Sequence, residues 1–168
     1  MPALLPRVIL LQSAASLRGV SMPQIERSAL VFYSAQQMFD LVNTVPDYPQ
    51  FLPGCTSANI VSQSENEMVA KLQVSKAGIG QSFTTRNTLH PNERIDMQLV
   101  DGPFKRLQGG WHFVPLNEHS CKVVLRLEFE FSSRLVQFAF GKVFSELTAA
   151  MVNAFTQRAK VVYGANHG

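Results

Sequence analysis

Between Cys55 and Phe131 apolar side chains fall on alternate positions, the period of a strand with one buried and one wet face. Met68, Ala70, Leu72 and Val74 alternate with polar residues, and Phe83 and Leu89, then Ile95, Met97 and Leu99, continue the pattern. Leu107, Gly109, Trp111 and Phe113 share one face. Cys121, Val123, Leu125, Leu127, Phe129 and Phe131 share another, opposite Lys122, Arg126, Glu128 and Glu130. The runs are separated by the turn-like stretches "KAGIG", "HPNE", "DGP" and "PLNEHS". This predicts a meander of five or six antiparallel strands, preceded by a first strand over 24–32.

Two other stretches have a different period. After the first strand, Ser34 with Gln37 three residues on makes a capping box. Met38, Leu41 and Val42 then give a short amphipathic helix that Pro46 stops. In "DYPQFLPGC" (47–55), two prolines and a glycine leave room for a short helical turn only, and Tyr48, Phe51 and Leu52 need a surface to pack on. Beyond Ser133 the period becomes 3.6: Leu135, Phe138, Val143, Phe144, Leu147, Met151, Phe155 and Val162 form an apolar stripe, and Gly164 is placed to end it. One helix cannot bury such a stripe alone, so it must lie across the apolar face of the meander. The predicted class is α+β: a curved antiparallel sheet of six to seven strands around a long C-terminal helix, with two short helices after the first strand.

Composition narrows what such a fold could do. At 168 residues the chain suffices for one domain with a real core. Charged residues make up 16%, below the usual quarter, and twelve phenylalanines accompany one tryptophan and three tyrosines. Phenylalanine adds apolar area without a polar group that needs a partner. The net charge of +3 is unevenly placed, because residues 1–21 hold Arg7 and Arg18 and no acid. The rest is nearly balanced and shows no broad basic footprint, which argues against sequence-specific DNA binding. Cys55 and Cys121 are too few for a disulfide framework and are expected as buried thiols.

Residues 1–21 read as an extension before Met22: a signal, a transit segment, or the product of an upstream start choice. The domain is expected over 22–165. Nothing in the extension approaches the ~20 apolar residues that span a bilayer. The four histidines, at 90, 112, 119 and 167, have no metal-ligand spacing, and no phosphate loop or nucleophile motif is present. Glu128 and Glu130 beside Arg126 read as a solvated ion-pair face. No catalytic residue, metal or catalytic cofactor is expected.

The order of elements resembles the helix-grip fold. The stretches "YPQFLPGC", "VSKAGIGQSFTTRN", "LVDGPFKRLQGGWHF", "FEF" and "MVNAFTQRAKVVY" make the likeness specific, resembling the coenzyme Q-binding START-like (polyketide cyclase) family from about Met22 to Tyr163. The resemblance implies two activities, neither of them catalysis. Mitochondrial members hold ubiquinone and support respiration. A bacterial branch acts as a toxin that binds the large (50S) ribosomal subunit and prevents its union with the small one. Gly54 stands where the mitochondrial type carries a tryptophan.

From the first activity comes the leading expectation: a quinone-like lipid, ubiquinone first, held between sheet and helix. Gly109 and Gly110 would let the strand kink, and Gly109 would leave a volume beside Trp111. Phe83, Met97, Phe113, Phe129, Met151 and Phe155 would line it, unless these residues simply fill a core. A prenyl chain gains about 0.8 kcal/mol per CH₂ removed from water. Arg86 and His112 are the candidates to orient a head group. Tyr48, Phe51 and Leu52 could form a lid, dip into a membrane surface, or pack back on the helix end. The second activity would need cations for ribosomal RNA, and Lys105, Arg106, Arg134, Lys142, Arg158 and Lys160 are the candidates. Either role implies a bacterial cytoplasmic protein, with peripheral contact at the inner membrane in the lipid case.

Overall fold

The computed structural model describes residues 24–165, so the extension over 1–21 lies outside the described residues. The first strand, β1 (Gln24–Val31), is followed by helix α1 (Ala35–Asn43) and a 3₁₀ turn (Val45–Gln50). Six strands follow: β2 (Cys55–Gln63), β3 (Glu67–Lys76), β4 (Ile79–His90), β5 (Arg94–Asp101), β6 (Phe104–Asn117) and β7 (Ser120–Phe131). The long helix α2 (Arg134–Tyr163) closes the domain. All seven strands form one antiparallel sheet in the order β1-β7-β6-β5-β4-β3-β2. The meander expected from the period-two pattern is therefore present, and β1 adds to its far end beside β7.

Local chemistry sets the helix ends. The Ser34 hydroxyl accepts from the Gln37 N–H while the Gln37 side chain accepts from the Ser34 N–H, satisfying two donors at the start of α1. Ser133 caps α2 by accepting from the Val136 N–H, and Gly164, at φ 84°, ends it. The inward side chains of β3 to β7 then meet α2 in one core. Phe140, Phe144, Leu147, Met151 and Phe155 face Phe83, Leu107, Trp111, Leu125 and Phe129 there. Cys55 and Cys121 are buried free thiols in it.

The stripe on α2 is shorter than its sequence pattern. Val143 through Phe155 are buried where the pattern places them, but Leu135, Phe138 and Val162 face solvent. These three lie on the side of the helix turned away from the core, while Val136, Phe140 and Tyr163 close by pack against it.

Gly109 and Gly110 stand in mid-β6, in unbroken register with β5 and β7. Their φ values, +140° and +155°, are ones L side chains rarely adopt. A Cβ on Gly109 would lie 2.0 Å from the Arg126 carbonyl oxygen, and one on Gly110 1.9 Å from that of Ile95. The glycines thus admit the backbones of β7 and β5. The expectation that Gly109 opens space beside Trp111 is corrected. Gly109 borders a shallow outer trench of about 230 Å³, walled by Asp96, Gln98, Gln108, Arg126 and Glu128.

Candidate functional site

Two cavities lie beneath α2, of about 30 Å³ and 20 Å³ open to the centre of a water molecule. A single water needs roughly 10–15 Å³ by this measure, so each has room for one or two. Leu72, Phe83, Met97 and Met151 border both cavities and form the partition between them. The first also touches Val42, Tyr48 and Trp111; the second reaches Leu107, Leu127 and Phe144. A prenyl chain would enter only if the two methionines swung aside, a movement that methionine's unbranched chain makes easier.

Of the residues expected to line a pocket, Phe83, Met97, Trp111 and Met151 do so. Phe113, Phe129 and Phe155 border neither of these two cavities and pack within the core. Phe113 packs edge-on against Phe39, Phe129 against Phe144, and Phe155 against Trp111, Tyr48 and Phe51. The head-group candidates are also corrected. Arg86 and His112 are exposed on the outer face of the sheet, and Arg86 Nε lies 3.3 Å from Glu67. The polar groups that reach the first cavity are Asn43, Thr85 and Asn87. Thr85 Oγ1 donates to Asn87 Oδ1 at 2.9 Å, and Asn43 Nδ2 donates to the Phe39 carbonyl at 3.0 Å. A signal for two of them was in the alternation: Thr85 and Asn87 stand on the same face as Phe83 and Leu89.

The proline-bounded loop packs back on the helix end, one of the arrangements expected of it. Tyr48 and Leu52 are buried, and the Tyr48 hydroxyl donates to the Val42 carbonyl. Burial pushes the Tyr48 phenol well above its ordinary pKa. Arg158 secures the outside of the loop. Its guanidinium lies 5.1 Å from the centre of the Phe51 ring, donates to Gln50 Oε1 at 3.1 Å and stands 3.8 Å from Asp47. With its side chain 16% exposed, Arg158 is a structural clamp and drops out of the cations free to meet RNA.

The remaining cations separate into two places. Lys160 is in the last turn of α2. Lys105 and Arg106 start β6, next to the β7–α2 junction, where the Ser132 N–H donates to the Pro103 carbonyl at 3.0 Å. Lys105 lies 3.5 Å from Glu130. Arg134 and Lys142 are exposed on the first turns of α2, one helical turn either side of Phe138. Glu146 follows at the same spacing and accepts from Lys76 at 2.6 Å, which holds its carboxyl below the usual pKa. Among the described residues, no group of three or more His, Cys, Asp or Glu side chains is placed to hold a metal.

A seven-stranded antiparallel sheet gripping one long helix, with small apolar cavities between them, defines a helix-grip protein of the START type. A model of the polyketide cyclase / dehydrase and lipid transport family matches residues 31–156, and the chain belongs to that family. It is 63% identical over 143 residues to the ribosome association toxin RatA of Vibrio cholerae, covering 85% of this chain and 99% of that protein. To the RatA of Escherichia coli it is 56% identical, covering 89% and 94%. A more distant relative is the mitochondrial coenzyme Q-binding protein COQ10 homolog B of Xenopus laevis. It is 27% identical, over 92% of this chain and 65% of that one. Among solved structures, the Zhui aromatase/cyclase from a Streptomyces species superposes with a TM-score of 0.72 at 19% identity, over 83% of this chain and 96% of that one. That likeness concerns the fold alone.

Proposed function

We propose that this chain is a ribosome association toxin, acting in the bacterial cytoplasm by binding the 50S subunit and preventing its union with the 30S subunit. The observation that carries this reading is the 63% identity, over nearly the full length, to a protein named for that activity. The two cavities beneath α2 favour it over a long prenyl ligand, since each has room for one or two waters. That weighs against the ubiquinone reading that the sequence motifs put first. No step in this role requires chemistry on a substrate, and the site residues accordingly bind rather than react.

A hydrophobic ligand is the second reading, favoured by the coenzyme Q-binding relative and by the Met97–Met151 partition. It would be quinone-like, lodged beneath α2 with its polar head towards Asn43, Thr85 and Asn87. Ligand occupancy and subunit binding are compatible, since they use opposite sides of the helix.

Sedimentation decides between them. Full-length protein is mixed with purified 30S and 50S subunits at a magnesium concentration that favours association, then run on a sucrose gradient. The expected result is loss of the 70S peak with protein travelling in the 50S fraction. An unchanged 70S peak and protein left at the top of the gradient would overturn the ribosomal reading. Stoichiometric quinone in an organic extract of that same protein would then favour the second.

A further inference from the structure

Phe138 is 89% exposed and Leu135 77%, the two most exposed large apolar side chains of the described fold. Exposing two such residues side by side, within one turn of α2, calls for a reason. Arg134, Phe138 and Lys142 succeed one another at four-residue spacing, so they form a single stripe with the ring between two cations, ~12 Å from end to end along the axis. Arg134 also occupies the first position of the helix, where the macrodipole disfavours a cation, and the first turn holds no acid to offset it. The same end of the molecule carries Lys105 and Arg106. Its acids are Asp101, Glu130 and Glu146, of which Glu130 lies near Lys105 and Glu146 is bonded to Lys76. Arg106 and Arg134 make no ion pair among the described residues, and Lys142 is balanced only in part, by Glu146 one turn on, which is itself bonded to Lys76.

Resting on the ribosomal reading above, we infer that this stripe receives an unpaired loop of ribosomal RNA. The Phe138 ring stacks on a splayed base while Arg134 and Lys142 meet phosphates on either side. Proteins hold single-stranded RNA by this combination: an exposed aromatic face for the base, which is sequence-tolerant, and cations beside it for the backbone. A bilayer fits less well. After Lys142 the solvent face of α2 turns polar, with Ser145, Glu146, Asn153 and Gln157 exposed, so the apolar part at this end covers two turns only. Leu135 supplies an apolar edge beside the ring and excludes water from it.

The test measures equilibrium binding of the fluorescently labelled full chain to purified 50S subunits, to protein-free ribosomal RNA, and to vesicles rich in anionic phosphatidylglycerol. Phe138→Ala is expected to weaken 50S binding about tenfold, within the range of lost base–aromatic stacking, and Phe138→Trp to restore it. The double variant Arg134→Gln with Lys142→Gln is expected to lower the slope of log affinity against log salt by about 1.4, for two single-strand phosphate contacts. Lys71→Gln, on the outer face of β3, serves as the unaffected control. Thermal melts check that every variant is folded. If wild type binds 50S and the Phe138 and double variants bind equally well, the stripe inference is overturned and the ribosomal reading stands. If wild type does not bind 50S, the ribosomal reading fails and takes the inference with it. Phe138-dependent binding to vesicles, with none to RNA, would make the stripe a membrane anchor and overturn the inference.

Discussion

The two ends of α2 are built from the same ingredients, an aromatic ring and a guanidinium, and use them in opposite ways. At the C-terminal end Arg158 stacks on Phe51, bonds to Gln50 and stands beside Asp47, while Phe155 is fully buried against Trp111, Tyr48 and Phe51. The end is tied down further by the Tyr163 hydroxyl donating to the Gln37 carbonyl at 2.8 Å and that of Tyr33 donating to the Gly164 carbonyl at 2.6 Å. At the N-terminal end Phe138 and Arg134 touch none of this and point into solvent. A cation beside an aromatic is therefore not a functional sign by itself. What separates clamp from contact surface is whether the fold already satisfies both groups.

The sharpest way to break this comparison is the same substitution at both ends. Phe155→Ala removes a ring from a packed cluster and should cost about 4 kcal/mol in urea unfolding. Phe138→Ala removes one from water and should move stability by no more than about 0.5 kcal/mol. Equal losses would mean that the N-terminal turns pack on something. Next in size, Arg158→Ala should cost about 2 kcal/mol, since it removes a charged hydrogen bond and the cover of Phe51. It should also expose the Val45–Gln50 loop to limited proteolysis. A variant as stable and resistant as wild type would return Arg158 to the pool of free cations.

The smallest effect is at Glu146. Hydrogen bonding from Lys76 lowers its pKa in the folded state, so its contribution is present above the ordinary value of 4.5 and is lost as pH falls through the lower folded value. Both groups are well exposed, so the loss should be slight. Melting temperature measured from pH 6 to pH 3 should fall only marginally less for Lys76→Met than for wild type. A large difference would indicate a more rigid N-terminal half than its exposure implies.

Most of the architecture was legible because it is periodic. Alternation gave the strands, the 3.6 repeat gave α2, and the Ser34 and Gly164 boundaries follow from capping chemistry alone. The motifs in "YPQFLPGC" and "DGPFKRLQGGW" likewise pointed to the right family. What was not legible depends on direction and neighbours. Gly109 lies in register on the inner face, opposite Leu127 and Met97, yet its missing Cβ makes way for backbone. The period cannot tell a position where backbones close in from one where a cavity opens. Arg86 and His112 were chosen for chemistry, and the alternation itself places them outward, one residue from the inward Thr85, Asn87, Trp111 and Phe113. The fate of Arg158 could not be read at all, because Gln50 lies 108 residues away in sequence.

The measurement that bears most directly on the account is hydroxyl-radical footprinting of the full chain with and without 50S subunits, read residue by residue by mass spectrometry. Oxidation of Leu135 and Phe138 should fall severalfold when 50S is added, while that of Phe51 stays unchanged. Protection of Phe51 and the Val45–Gln50 loop instead, with Phe138 still fully reactive in the bound state, would contradict it.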